Sequence, residues 1–361
     1  MEKGLKYLLF SCLRVILRSK KITEVPKTGI KKILVIRQHN QLGDMLCAVP
    51  LIKALRKTFP EASVSLVARP LNSEILRGCT FIDRLYVYQK QRFWKSPFGA
   101  LKFLYGIRKN NFDLAITPAT VAMSVSSDVL AFLSKAKVRI GPGALDGKKN
   151  VTGYMYNIRV QLDWRKTPFV PQTQRNMDIA AILNLESVSH ELEIGLQDSE
   201  IEAGKSMLFP QLKKERLIIG FHPGAAKIPN RWDALRFAEL ANRCAEILGA
   251  FIVVTAGPND EEPLHEMLVN MPNECLVLQN EPIRYVASIV KHCRLFVSND
   301  TGMMHVAAGV GTPVISLFGP TDPLQWAPHG EKHRFIMGRE GKLENISVEK
   351  VWSVMHTMLK Q

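Results

Sequence analysis

The sequence predicts an α/β protein of two doubly wound parallel-sheet domains, and three observations carry that prediction. Short runs rich in Val, Ile and Leu alternate with longer segments of helical period from residue 32 to residue 318, the pattern of parallel strands joined by crossover helices. The alternation starts afresh near Leu217, so the chain reads as two domains. At 361 residues, with 46% apolar and 22% charged side chains, it is long and apolar enough for two full cores and too apolar for extensive disorder.

Taken in order, residues 1–21 place Leu5, Leu8, Leu9, Leu13, Ile16 and Leu17 on one helical stripe, with Lys3, Lys6, Arg14, Arg18, Lys20 and Lys21 around it. Arg14 interrupts the apolar run, which is too short to span a bilayer. Residues 1–22 therefore read as a basic amphipathic helix, lying on an anionic membrane surface or docked on the protein's own body. After a linker holding Pro26, residues 32–37 are a buried strand. The strand runs through Gln38-His39-Asn40-Gln41-Leu42-Gly43-Asp44 into a helix over 45–59, which Pro60 stops. Strands at 64–67, 85–88, 114–117 and 138–140 follow, with helices at 98–109 and 124–133. Residues 141–172, rich in Gly, Lys, Pro and Asn, read as a loop. A helix at 176–185 closes a first domain over 30–190, and the polar stretch 191–214 reads as the linker.

The second domain, 215–340, begins with a strand at 217–221 and the loop His222 to Trp232. Helix Ala234–Leu248, strand 251–255, the turn Gly257-Pro258-Asn259-Asp260-Glu261-Glu262, helix 264–270, strand 276–278 and helix 283–292 come next. Residues 295–323 then give a short strand, the polar turn Ser298-Asn299-Asp300-Thr301, a helix over 303–310, strand Val314–Phe318 and the loop Gly319-Pro320-Thr321-Asp322-Pro323. A closing helix in 346–361 carries Val351, Trp352 and Met355 on one face and is expected to pack back across the domain boundary.

Chemistry concentrates at the strand-to-helix turns. A helix opening at Asp300-Thr301-Gly302 offers backbone N–H groups and a positive dipole end to an anion such as a diphosphate, and His305 lies one turn further in. The same residues also suit an ordinary cap with no ligand. Asp44 either caps its helix or projects a carboxylate able to take a proton from a substrate hydroxyl. Arg231 and Lys227 flank Pro229 as a clamp for phosphates or as a solvated basic loop. Asp260 and Glu261 either bind ribose hydroxyls or favour the start of the next helix.

The remaining signals exclude more than they assign. There is no GxSxG, no GxxxxGK[ST] and no GxGxxG, so hydrolase-elbow, P-loop and dinucleotide-oxidoreductase readings lack their key residues. Six scattered cysteines form no CxxC pair and support neither a disulfide framework nor a metal site. The net charge of +15 suggests a polyanionic partner, but an aromatic-plus-basic RNA platform is missing, which argues against nucleic acid.

Four blocks in order resemble the ADP-heptose:lipopolysaccharide heptosyltransferases, glycosyltransferase family 9: ILVIR…LGDMLCAVPLIKALRKTFPEA, IGFHPGA…RW…RFAELA, VVTAGPNDEE and VSNDTGMMHVAAGVGTPVISLFGPTDP. The resemblance implies a GT-B fold, two Rossmann-like domains facing across a cleft, with the acceptor on the first and the nucleotide sugar on the second. It implies inverting transfer of heptose from ADP-heptose to a lipopolysaccharide inner-core acceptor, with no metal and no cofactor, by a cytoplasmic enzyme peripheral on the inner face of the inner membrane. By position, Asp44 is then the catalytic base, with Asn40, Gln41 and Gly43 on the acceptor-side loop. Asp300, Thr301, Gly302 and His305 form the donor turn, helped by Arg231 and Lys227, with Asp260 or Glu261 on the ribose. Two departures stand out: Asn230 where many relatives have lysine, and Asp260 where they often have glutamate. They leave open a different donor or acceptor, or a nucleotide-sugar-binding protein without catalysis.

Overall fold

The computed structural model describes residues 17–26, 28–38, 41–271 and 274–360. The helix expected over 1–22 falls mostly outside them. Residues 18–22 are not helical, and their backbone bonds to the 154–157 stretch, Ser19 N–H to Tyr154 O at 3.0 Å and Ile22 N–H to Asn157 O at 3.3 Å.

Elements of the first half are β1 (Lys32–Ile36), α1 (Leu42–Leu46), α2 (Val49–Thr58), β2 (Ser63–Ala68), α3 (Pro70–Ile75), β3 (Arg84–Val87), α4 (Lys90–Lys95), α5 (Pro97–Arg108), β4 (Leu114–Ile116), α6 (Val125–Leu133), β5 (Val138–Leu145), β6 (Lys148–Lys149), β7 (Ile158–Leu162) and α7 (Gln172–Asp178). The second half holds α8 (Asp198–Leu212), β8 (Ile218–His222), α9 (Ala234–Leu248), β9 (Phe251–Ala256), α10 (Glu261–Val269), β10 (Cys275–Gln279), α11 (Ile283–Val290), β11 (Leu295–Asn299), α12 (Gly302–Gly309), β12 (Val314–Phe318), α13 (Pro323–Trp326), β13 (Arg334–Met337) and α14 (Val348–Leu359).

Two compact units result. The first takes the described residues up to 38 with Cys47–Ser73 and Cys79–Ser189; the second takes Gln41–Leu46, Glu74–Gly78 and everything from His190 onward. The segment carrying Asp44 thus belongs, by its contacts, to the second unit. In the first unit the sheet order is β3-β2-β1-β4-β5, parallel throughout, with β6 antiparallel and β7 parallel to β5. Its core gathers Leu34, Ile36, Val67, Ile107, Phe112 and Tyr156. The second unit has a six-stranded parallel sheet in the order β10-β9-β8-β11-β12-β13. That is the doubly wound 3-2-1-4-5-6 arrangement, whose ligand crevice lies beyond the strand ends where the order reverses, here between β8 and β11.

Several expectations are corrected. The single helix expected over 45–59 is two helices: Pro50, at the start of α2, has no N–H to return to the preceding turn. Residues 141–172 are not all loop: they hold the end of β5 together with β6 and β7, because Asp146 and Gly147, both at positive φ, form a tight hairpin turn between β5 and β6. The 191–214 linker contains α8, which reads as polar because it buries only Gly204, Leu208 and Gln211. Gly204 is needed there, since a Cβ would come within 2.5 Å of the Ser288 backbone. The closing helix α14 buries Val351 and Met355 in the second unit's own core beside Trp232, and Glu349 pairs with Arg243 of α9.

Candidate active site

The β8/β11 reversal point is built from two loops pinned together by one buried amide. Asn299, the last residue of β11, donates from Nδ2 to Pro223 O at 2.8 Å and to Gly224 O at 3.2 Å, and its Oδ1 accepts the Trp232 N–H at 2.9 Å. Both ends of the loop 223–232 are held by this one side chain. Trp232 is fully buried and anchors the loop to the core, its Nε1–H donating to Ile346 O at 2.9 Å.

Beyond Asn299 the chain turns into α12. Thr301 is the cap: its Oγ1 accepts the Met303 N–H at 3.2 Å. Asp300 accepts from Asn230 Nδ2 at 3.2 Å, and Asn230 donates equally to Thr321 Oγ1 at 3.2 Å. Burial holds the Asp300 carboxyl above the usual carboxylate range, offset in part by the Thr321 hydroxyl and the Lys227 cation. Helix α1 packs on this same helix. A Cβ on Gly302 would lie 3.0 Å from Leu42 Cβ, and one on Gly43 would lie 2.8 Å from His305 Cδ2. Asp44, the next residue after Gly43, is buried there.

His305 is buried edge-on to Trp326, with ring centroids 6.4 Å apart, and its Nδ1 has no hydrogen-bond partner among the described residues. Burial pushes its pKa down to about 4, so near neutral pH it offers a neutral ring. His333 is likewise pushed down to about 4 by burial and by the neighbouring Lys332, Arg334 and His329. The unfolded chain takes up these protons near pH 6.5, well before the folded one, so stability is present above that value and is lost as pH falls toward 4. Thermal denaturation should therefore show a loss of about 2 kcal/mol per histidine between pH 7 and pH 5. His333→Gln should remove roughly half of that slope; an unchanged slope would refute the assignment.

The other expected residues form a neighbouring cluster with different tasks. Arg231 is a staple: Nε donates to Ala225 O at 2.8 Å, a terminal nitrogen to Asn259 O at 3.2 Å, and Glu262 lies 3.5 Å away. Asp260 is buried, accepts the Gly257 N–H at 2.8 Å and sits 3.6 Å from His222 Nε2. A Cβ on Gly224 would fall 2.0 Å from its carboxyl carbon, so the glycine is what admits the carboxylate. Glu261 is exposed at the start of α10, as is Glu262 beside it.

The structure thus brings Gly43 and Asp44 onto α12, which carries Gly302 and His305 and which Asp300 and Thr301 lead into, with the Lys227 cation favouring the charged form of Asp300. It ties Arg231 and Asp260 into the loops instead. Gln41 is exposed just ahead of α1, and Asn40 lies outside the described residues. Asn299 and Thr321 were not singled out from the sequence; the available signal for Asn299 was an amide at the end of a short strand that is buried throughout. Among the described residues, no group of three His, Cys, Asp or Glu could hold a metal ion.

Two doubly wound parallel units, with a reversal-point turn opening a helix N-terminus, fit the GT-B fold of glycosyltransferases. Residues 100–355 match the family described as glycosyltransferase family 9 (heptosyltransferase). Lipopolysaccharide heptosyltransferase 2 of Escherichia coli K12 is 27% identical over 326 residues, 84% of this chain and 87% of that protein. Its Salmonella typhimurium counterpart is 26% identical over 366 residues, 91% and 99% of the two chains. Among solved structures, a family 9 glycosyltransferase from Veillonella parvula superposes with a TM-score of 0.81 at 22% identity, covering 94% of this chain and 99% of that one. The E. coli heptosyltransferase WaaC with ADP gives 0.73 at 18% identity, covering 91% and 99%. The chain belongs to glycosyltransferase family 9, the heptosyltransferase family.

Proposed function

We propose that this glycosyltransferase moves heptose from ADP-heptose to an inner-core hydroxyl of lipopolysaccharide, with inversion and without a metal ion, on the cytoplasmic face of the inner membrane. The observation that carries the reading is the packing of α1, with Asp44, against the N-terminal turn of α12. Support also comes from relatives named as lipopolysaccharide heptosyltransferases and from a heptosyltransferase solved with an ADP-heptose analogue. No described helix is long and apolar enough to cross a membrane, which suits peripheral attachment.

In this reading the Asp44 carboxylate takes the proton of the acceptor hydroxyl as its oxygen attacks the anomeric carbon. The bond from that carbon to the diphosphate breaks, and ADP leaves with the electron pair. The N-terminal turn of α12 stabilises the departing diphosphate through backbone N–H groups and dipole, with Lys227 adding charge. Neutral His305 supplies one hydrogen bond to the diphosphate or sugar. Glu261, rather than buried Asp260, takes the ribose hydroxyls. Neutral Asn230, bound to Asp300 and Thr321 where relatives often carry lysine, and Asp260 in place of glutamate are the features favouring a different nucleotide sugar.

A thermal-shift panel of ADP, UDP, GDP and their sugars tests the donor. ADP at a hundredfold excess over its Kd should raise the unfolding temperature by about 5–10 °C. A response to UDP alone would overturn the donor assignment, and activity lost in EDTA would overturn metal independence.

A further inference from the structure

The geometry points to a membrane-docking surface on α5, outside the candidate active site, with anionic lipid as its partner. Ser96 fixes the start of this helix by accepting the Gly99 N–H at 3.1 Å. Ile107, Phe103 and Leu104 pack inward on the first unit's core. At 3.6 residues per turn, Phe98, Leu101 and Tyr105 fall within an arc of about 60° on the opposite side. They are 77%, 64% and 68% exposed. A helix already seated by its inner face has no folding need for these three large side chains.

Charge decides what covers them. Residues 89–112 contain six basic residues and no acidic one, and residues 1–22 contain six basic and one acidic, so the two stretches supply eleven of the fifteen net positive charges. Lys95, Lys102, Arg108 and Lys109 are exposed, and no carboxylate pairs with them among the described residues. Lys102 and Lys109 edge one side of the stripe and Arg108 the other, and the Lys109 ammonium lies 5.9 Å from the Tyr105 ring centre. Protein interfaces are depleted of lysine. An apolar stripe edged by long cations, whose stems reach along it while their charges meet headgroups, is the pattern of helices lying in an anionic bilayer surface. This deepens the proposed function, resting on it only for why an enzyme with a glycolipid acceptor would sit on a membrane.

The test is sedimentation of the full-length protein with vesicles of equal parts phosphatidylglycerol and phosphatidylcholine, and with vesicles of phosphatidylcholine alone. The Phe98→Ser/Leu101→Ser/Tyr105→Ser variant should bind the anionic vesicles on the order of tenfold more weakly, with an unchanged unfolding temperature and unchanged response to ADP. Lys95→Glu/Lys102→Glu/Lys109→Glu should weaken binding similarly and flatten its salt dependence. Unchanged vesicle binding in both variants overturns the proposal. So does a serine variant that keeps vesicle binding but changes oligomeric state, since the stripe would then be covered by a second copy. Turnover on a water-soluble acceptor reads the chemistry separately: its absence beside normal vesicle binding counts against the proposed activity alone.

Discussion

Asp44→Asn should lower kcat by about 10²- to 10⁴-fold, the range typical of removing a general base. The variant keeps size and hydrogen-bonding capacity but cannot accept the hydroxyl proton. ADP should still raise its unfolding temperature as it does for the unaltered protein, because the groups assigned to the nucleotide lie on α12, α10 and the 223–232 loop. A normal kcat in Asp44→Asn would refute the base assignment outright. A loss of ADP response together with turnover would make Asp44 a part of the binding site or of the fold instead.

The second large effect is on stability. Asn299→Ala removes two donors and one acceptor at once, leaving the buried Trp232 N–H and the Pro223 carbonyl without their partner. Leaving buried polar groups unsatisfied costs about 1–3 kcal/mol each, so a total near 3 kcal/mol is expected. For a unit of this size that lowers the unfolding temperature by about 6–12 °C. Asn299→Asp keeps an acceptor for Trp232 but sets a carboxylate against two carbonyl oxygens, and it should be no better than alanine. Wild-type stability in the aspartate variant would show that the amide donors hold nothing.

The sequence was most legible where periodicity and caps agree. α9 begins and ends as expected because Asp233 caps it through the Leu235 N–H and Gly249 closes it in the left-handed conformation. β12 reads as a buried parallel strand because every residue in it is apolar or small. The cap and turn at the start of α12 were legible because Asp300 to His305 lie within six residues of one another. What escaped depends on distant partners. Asp44 joins α12 through contacts with residues more than two hundred positions away, and no local pattern says which unit a five-residue helix will choose. Arg231 and Asp260 looked like ligand contacts because charge on a loop is visible in sequence. The carbonyls and the glycine that occupy them are not. α8 and the β5–β6 hairpin were missed for a simpler reason: one buried stripe or one tight turn leaves most of a segment polar.

The membership of residues 41–46 in the second unit has a consequence for how the enzyme is made. α12 leaves the ribosome roughly 260 residues after α1, which at typical synthesis rates is about 10–50 s later. Until then Leu42 and Gly43 lack the helix they pack on, and the carboxylate beside them has no fixed position. A nascent chain therefore completes its first sheet well before α1 meets the helix it packs on, and that packing forms as one of the last events of synthesis.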